Sequence, residues 1–165
     1  EIGPKFYRAV DWADAIRHGR TDGDTLKWWM KQSEDARQAA IAGTEPLGDA
    51  LNALSEFYRR GRNACPWGNG ATFDITILEH AYGRCLGTKA PWDFWNIRDV
   101  RTIVDVAKGI CDRPKTFGNR TAHNALDDAV FQAEYVSKMW QALRGANPAK
   151  LKSAETRAPV ADLDI

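Results

Sequence analysis

Trp67-Gly68-Asn69-Gly70-Ala71-Thr72-Phe73-Asp74 joins a short apolar run, Asn63 to Gly68, to a segment with helical periodicity. The run reads as a strand, and the missing amide of Pro66 puts that residue at an edge or end position. Two glycines then let the backbone approach closely, and Asp74 falls in the first turn of the next helix. That helix begins near Thr72, carries Ile75, Leu78, Tyr82 and Cys85 on one face, and stops at Gly87. In an open α/β sheet, ligands bind where such a strand ends. Taken alone, the same residues are better explained by a glycine-rich turn followed by an acid that the helix dipole favours.

Towards the N-terminus, Lys5 to Val10 holds Phe6, Tyr7 and Val10 and favours a strand. Asp24-Thr25 can cap a helix with Leu26, Trp29 and Met30 on one face and Trp28 off it, and another helix starts at Ser33. A third follows Thr44-Glu45-Pro46, with a stripe of Leu47, Ala50, Leu51, Leu54, Phe57 and Tyr58 and a stop at Gly61. Towards the C-terminus, a turn around Pro91 leads to a brief strand near Asn96. Asp99 caps the next helix, whose stripe is Val100, Ile103, Val104 and Ala107 and whose stop is Gly109. Residues 110–122 read as a long loop carrying Arg113, Lys115 and Arg120, a length that is often functional. A long helix then runs from Asn124 to Leu143, with Leu126, Ala129, Val130, Ala133, Val136 and Trp140 expected inward. Residues 1–145 thus form one α/β domain and the polar residues 146–165 a disordered tail. The strands are few for the helices around them, which predicts further strands.

The chain has 165 residues, of which 44% are hydrophobic, enough for one domain with a core. Lys and Arg total 23 against 22 Asp and Glu, so a net charge of +1 gives no global attraction for a polyanion. Any nucleic-acid contact must be local. Cys65, Cys85 and Cys111 show neither Cys-x-x-Cys spacing nor a paired pattern, which fits a reducing cytoplasm. No apolar run nears the roughly 20 residues that span a bilayer, so no membrane partner is expected.

A second segment, His123-Asn124-Ala125-Leu126-Asp127-Asp128, sets an imidazole before a helix and two carboxylates in its first turn. Asn124 is a good N-cap, and Asp127, three residues later, can complete a capping-box-like arrangement. Asp128 lies nearer the edge of the expected apolar stripe, which makes it the better ligand candidate.

In order, separation and context, the two segments resemble the second and third motifs of the DEDDh 3′-to-5′ exonucleases. These are the RNase H-like family of proofreading exonucleases, RNase T and oligoribonuclease. The resemblance is nearest to the phage and bacterial exonuclease or exoribonuclease-like branch, in which Trp-Gly-Asn-Gly before Phe-Asp and an early Leu-x-Trp-Trp, here Leu26-Lys27-Trp28-Trp29, are familiar. It runs from Phe6 to Leu143. It implies an RNase H-like mixed sheet flanked by helices, with Asp74 and Asp128 as metal ligands and His123 as the catalytic histidine. Trp67, Asn69 and Phe73 are the implied substrate contacts, since family members bind the terminal nucleotide along the corresponding strand. The implied partners are two divalent cations, Mg²⁺ or Mn²⁺, and the 3′ end of single-stranded DNA or RNA; a homodimer is allowed. The family's first motif, Asp-x-Glu, occurs nowhere in this sequence. Asp11 and Asp14 have the wrong spacing to replace it. The resemblance therefore implies that this motif and a partner strand precede Glu1, and that the chain as given is N-terminally incomplete, with little activity alone.

The chemistry explains the residue types. Hydrolysing a phosphodiester requires neutralising the phosphate, activating a water and stabilising a leaving alkoxide, and two cations about 3.5 to 4 Å apart can do all three. Hard cations take oxygen ligands, hence clustered carboxylates. A histidine with an ordinary pKa near 6.5 can accept the water's proton at neutral pH, which is worth on the order of 10² to 10⁴ in rate.

Two other readings compete. A nuclease-like module without the first motif could hold nucleic acid or protein without cutting; an RNase H-like endonuclease would share metals and sheet but has less use for His-x-x-x-x-Asp. His18 and His80 read as surface or boundary residues. Trp28 suits packing better than base stacking, and Arg59, Arg60 and Arg62 suit a helix C-terminus.

Overall fold

The computed structural model describes residues 2–61, 63–115 and 124–145. Among them, helices α1 (Trp12–His18), α2 (Gly23–Met30), α3 (Glu34–Ile41) and α4 (Leu47–Arg60) precede strand β1 (Trp67–Gly68). Helix α5 (Ala71–Ala81) runs on into a π-helical turn, Tyr82–Leu86. A 3₁₀ turn at Phe94–Asn96, strand β2 (Arg98–Asp99) and helices α6 (Val100–Ala107) and α7 (Ala125–Gly145) follow. The architecture is helix-rich α/β with a small parallel sheet. None of the described helices is long and apolar enough to cross a membrane.

β1 and β2 pair in parallel, Trp67 opposite Arg98 and Gly68 opposite Asp99. The ladder is extended by Arg98 N–H donating to the Pro66 carbonyl at 2.9 Å, so the proline sits at the strand entrance and accepts where it cannot donate. Each strand feeds a helix almost at once, α5 after β1 and α6 after β2. Parallel pairing therefore sets the two helix N-termini side by side at one edge of the sheet.

Two apolar clusters flank this junction. Leu51, Ala71, Ile75, Tyr82 and Trp92 form one, and the Tyr82 hydroxyl is satisfied inside it by the Leu51 carbonyl at 2.8 Å and Ser55 Oγ at 2.9 Å. Burial pushes that phenol's pKa up. Val100, Ile103 and Ala107 of α6 pack on Phe131, Tyr135 and Met139 of α7 to form the other.

Several expectations change. The strand over residues 5–10 reduces to one bridge, Val10 to Glu45, because no described strand offers residues 5–9 a ladder. Helix α1 stands where no helix was expected; the Asp11 carboxylate caps it at Asp14 N (2.7 Å). Asp14 in turn accepts from Leu47 N (2.6 Å), replacing the cap that Pro46 cannot give α4. Asp22, and not Asp24-Thr25, caps α2, while Leu26 and Met30 face solvent. The strand near Asn96 is a 3₁₀ turn, with β2 two residues later.

The inward face of α7 also differs from expectation. Ala129, Ala133 and Trp140 are exposed, and Phe131, Tyr135 and Met139 are buried. Both faces are apolar enough to bury, and the α6 stripe selects the one with larger side chains. The tail at 146–165 and most of the loop before α7 lie outside the described residues.

Candidate functional site

The turn between β1 and α5 is built by close approach. A Cβ on Gly68 would press on Ala71 Cα at 2.8 Å and Asp74 Cβ at 3.2 Å, so only glycine lets the strand end fold over the helix start. Gly70 has φ +103°, a left-handed conformation that side chains resist, and the Arg101 guanidinium packs against it. The turn is held from both sides. Asp74 Oδ2 accepts the Asn69 amide at 2.7 Å, and the Ala71 amide donates to Asp99 Oδ2.

Asp99 also caps its own helix, since Oδ1 accepts from Arg101 N at 2.7 Å and Thr102 N at 3.4 Å. One carboxylate thus joins the N-termini of α5 and α6. The Ala71 amide, aided by those of Arg101 and Thr102, holds the Asp99 pKa below the usual carboxylate range despite partial desolvation.

Asp74 is half-buried, and its Oδ1 has no protein partner among the described residues. One oxygen is fixed by the backbone and the other is left for a ligand. Asn124 caps α7, its Oδ1 accepting from Leu126 N and Asp127 N at 3.1 Å each. At about 100° per residue, Asp128 projects within about 20° of the centre of the Phe131–Tyr135–Met139 face, and Asp127 about 80° from it. Both aspartates are half-buried.

Trp67, on β1, is 37% exposed and meets Trp140 of α7 edge-on, with ring centroids 6.4 Å apart. Phe73 projects outward, 63% exposed. Asn69 lines a cleft of about 420 Å³ between the turn, α6 and α7, together with Arg101, Lys108, Arg113 and Tyr135. His123 lies outside the described residues. Among the described residues, no group of three His, Cys, Asp or Glu side chains is gathered to hold a metal. Asp74 and Asp128 suit a hard cation in kind and supply only part of a ligand set.

Arg101, Lys108 and Tyr135 also line this cleft, although none is an expected site residue. A signal was present, for Arg101, Asp105 and Lys108 recur at helical spacing along the polar flank of the α6 stripe.

A conserved-domain model described as the 3′-5′ exoribonuclease Rv2179c-like domain matches residues 1–140. The chain belongs to that family. An exodeoxyribonuclease of Enterobacteria phage T4 is 28% identical over 147 residues, covering 74% of this chain and 63% of the relative. The chain therefore spans less than two thirds of that relative's length. No solved structure shows significant similarity to the chain.

Proposed function

We propose that the protein acts as a 3′-to-5′ exonuclease of the DEDDh type on an RNase H-like fold, removing nucleoside monophosphates from single-stranded DNA or RNA. The observation that carries this reading is Asp74, held through one oxygen at the end of β1 with the other open, in a chain of an exoribonuclease-like family. Asp74 and Asp128 would hold divalent cations, Mg²⁺ or Mn²⁺, together with the Asp-x-Glu that the resemblance implies and this sequence lacks. When bound, such ions neutralise the phosphate and make water a nucleophile. The Asn69 amide keeps Asp74 turned towards the site, as outer hydrogen bonds do for metal-binding carboxylates. His123 takes the proton of the attacking water at its imidazole. Trp67, Asn69 and Phe73 contact the terminal nucleotide. The family's name says exoribonuclease and the phage relative's says exodeoxyribonuclease; a contact to one 2′-hydroxyl can decide between them.

The second reading is a nuclease-like module that holds nucleic acid or a protein partner without cutting it. The test treats the intact protein, in Mg²⁺ or Mn²⁺, with internally labelled oligonucleotides that have a free 3′ end, a blocked 3′ end or a circular form. Stepwise shortening of the free end alone supports the exonuclease. Cutting of the circle points to an endonuclease, and binding of all three without cutting to the module.

A further inference from the structure

We propose that the cleft between the β1–α5 turn, α6 and α7 is a phosphate subsite that grips the backbone of the nucleic-acid strand leading to the 3′ end. The identity of the ligand rests on the exonuclease reading; the anion chemistry does not. Arg101, Lys108 and Arg113 line the cleft, and no carboxylate lies within ion-pair distance of any of them among the described residues. Asp105 and Asp112 also line it, Asp112 Oδ1 accepting the Gly109 amide at 3.0 Å, so three cations face two carboxylates. The wall keeps an excess of positive charge.

Tyr135 is the second, independent observation. It is 2% exposed, lies under the Arg113 guanidinium at 5.5 Å, and its hydroxyl is the buried side-chain oxygen that lacks a hydrogen-bond partner among the described residues. Buried hydroxyls are rarely left so, because the lost hydration is not repaid. A phosphate oxygen drawn in by the guanidinium groups supplies the missing acceptor. The volume of about 420 Å³ falls in the range of small-ligand sites, roughly 300 to 1,000 Å³. Asn69 belongs to both places, since it lines the cleft and its amide holds Asp74, so a strand gripped here runs beside the candidate ligand. With a net charge of +1, a local cluster of this kind is how the chain would hold a polyanion.

The test measures binding of a fluorescent single-stranded oligonucleotide to the full chain in EDTA, over a range of salt. Lys108→Gln/Arg113→Gln alters two exposed side chains and should weaken binding about tenfold, lowering the salt slope by about 1 to 2. Tyr135→Phe keeps the packing and should weaken binding several-fold without changing the slope. Inorganic phosphate as competitor separates a free-phosphate site, where millimolar phosphate displaces the oligonucleotide, from a backbone subsite, where it does not. Displacement by phosphate, or unchanged affinity and slope in the double variant, overturns the proposal. Normal 3′-end shortening by that variant would sink the subsite and spare the exonuclease. Salt-sensitive binding without shortening would do the reverse.

Discussion

Asp99 accepts the backbone amide of Ala71 across 28 residues of sequence, while its second oxygen caps its own helix. The junction of α5 and α6 therefore depends on a carboxylate with two acceptor oxygens. Asparagine, ordinarily a good N-cap, offers one acceptor and turns an amide NH₂ towards the other amide. Asp99→Asn should cost roughly 1 to 3 kcal/mol in urea unfolding, the range for a buried group left unsatisfied. A cost within experimental error would show that the Ala71 bond is not needed.

The same carboxylate sets an acid limit. Its folded-state pKa is held down by the Ala71 amide, so the native state binds fewer protons than the unfolded chain as acid is added. Its contribution is fully present above the ordinary carboxylate value of about 3.9 and is lost as pH falls through the lower folded value. The stability gap between wild type and Asp99→Asn should hold steady from pH 7 to about pH 4 and narrow below that. A gap that widens in acid would contradict the assignment.

Neighbouring aspartates on α7 should differ. Asp128→Ala, like Asp74→Asn, should remove nearly all turnover in the intact protein by removing a metal ligand. Asn124 Oδ1 accepts the Leu126 and Asp127 amides at the start of α7, and Asp127→Ala should leave turnover largely in place and cost mainly helix-cap stability, on the order of 0.5 to 2 kcal/mol. Asn124→Ala should cost about 0.5 to 2 kcal/mol. Equal loss of activity from both aspartate changes, with both proteins folded by circular dichroism, would remove the distinction.

Trp67 and Trp140 touch edge-to-face and both remain partly exposed. If Trp67 stacks on a base, Trp67→Ala should weaken single-strand binding by about 1 to 3 kcal/mol. Trp140→Ala should cost mainly stability, about 0.5 to 1.5 kcal/mol beyond its lost area. Similar affinities for the two variants would make the pair structural only.

His123→Ala should lower kcat strongly and leave Mn²⁺ affinity largely intact, since the carboxylates would hold the ions. Wild-type rate should fall as pH drops through the histidine range, because a protonated imidazole cannot accept the water's proton. The variant should lack that limb. An unchanged acidic limb would leave His123 a positioning residue.

The sequence by itself determined what is local. Glycines at 68 and 70, the Pro46, Ser33 and Asp99 helix starts, and the stripes of α4, α5 and α6 follow from backbone freedom, capping and period, which adjacent residues decide. So does the placing of Asp74 in the first turn of α5. Tertiary structure decided what needs a partner from afar. Residues 5–9 have strand composition, but the described pairing of this segment is confined to Glu45, whose amide donates to the Ala9 carbonyl at 3.2 Å, and composition cannot supply a longer partner. Helix α7 has two apolar faces, and only packing on Val100, Ile103 and Ala107 buries Phe131, Tyr135 and Met139. Asp99 is legible as a cap for α6, but its second oxygen reaches Ala71 only because parallel pairing brings two helix ends together. Arg101 of α6 and Lys108 just beyond it line one cleft with Asn69 for the same reason: three-dimensional neighbours are set by the sheet and the helix packing, which sequence spacing does not encode.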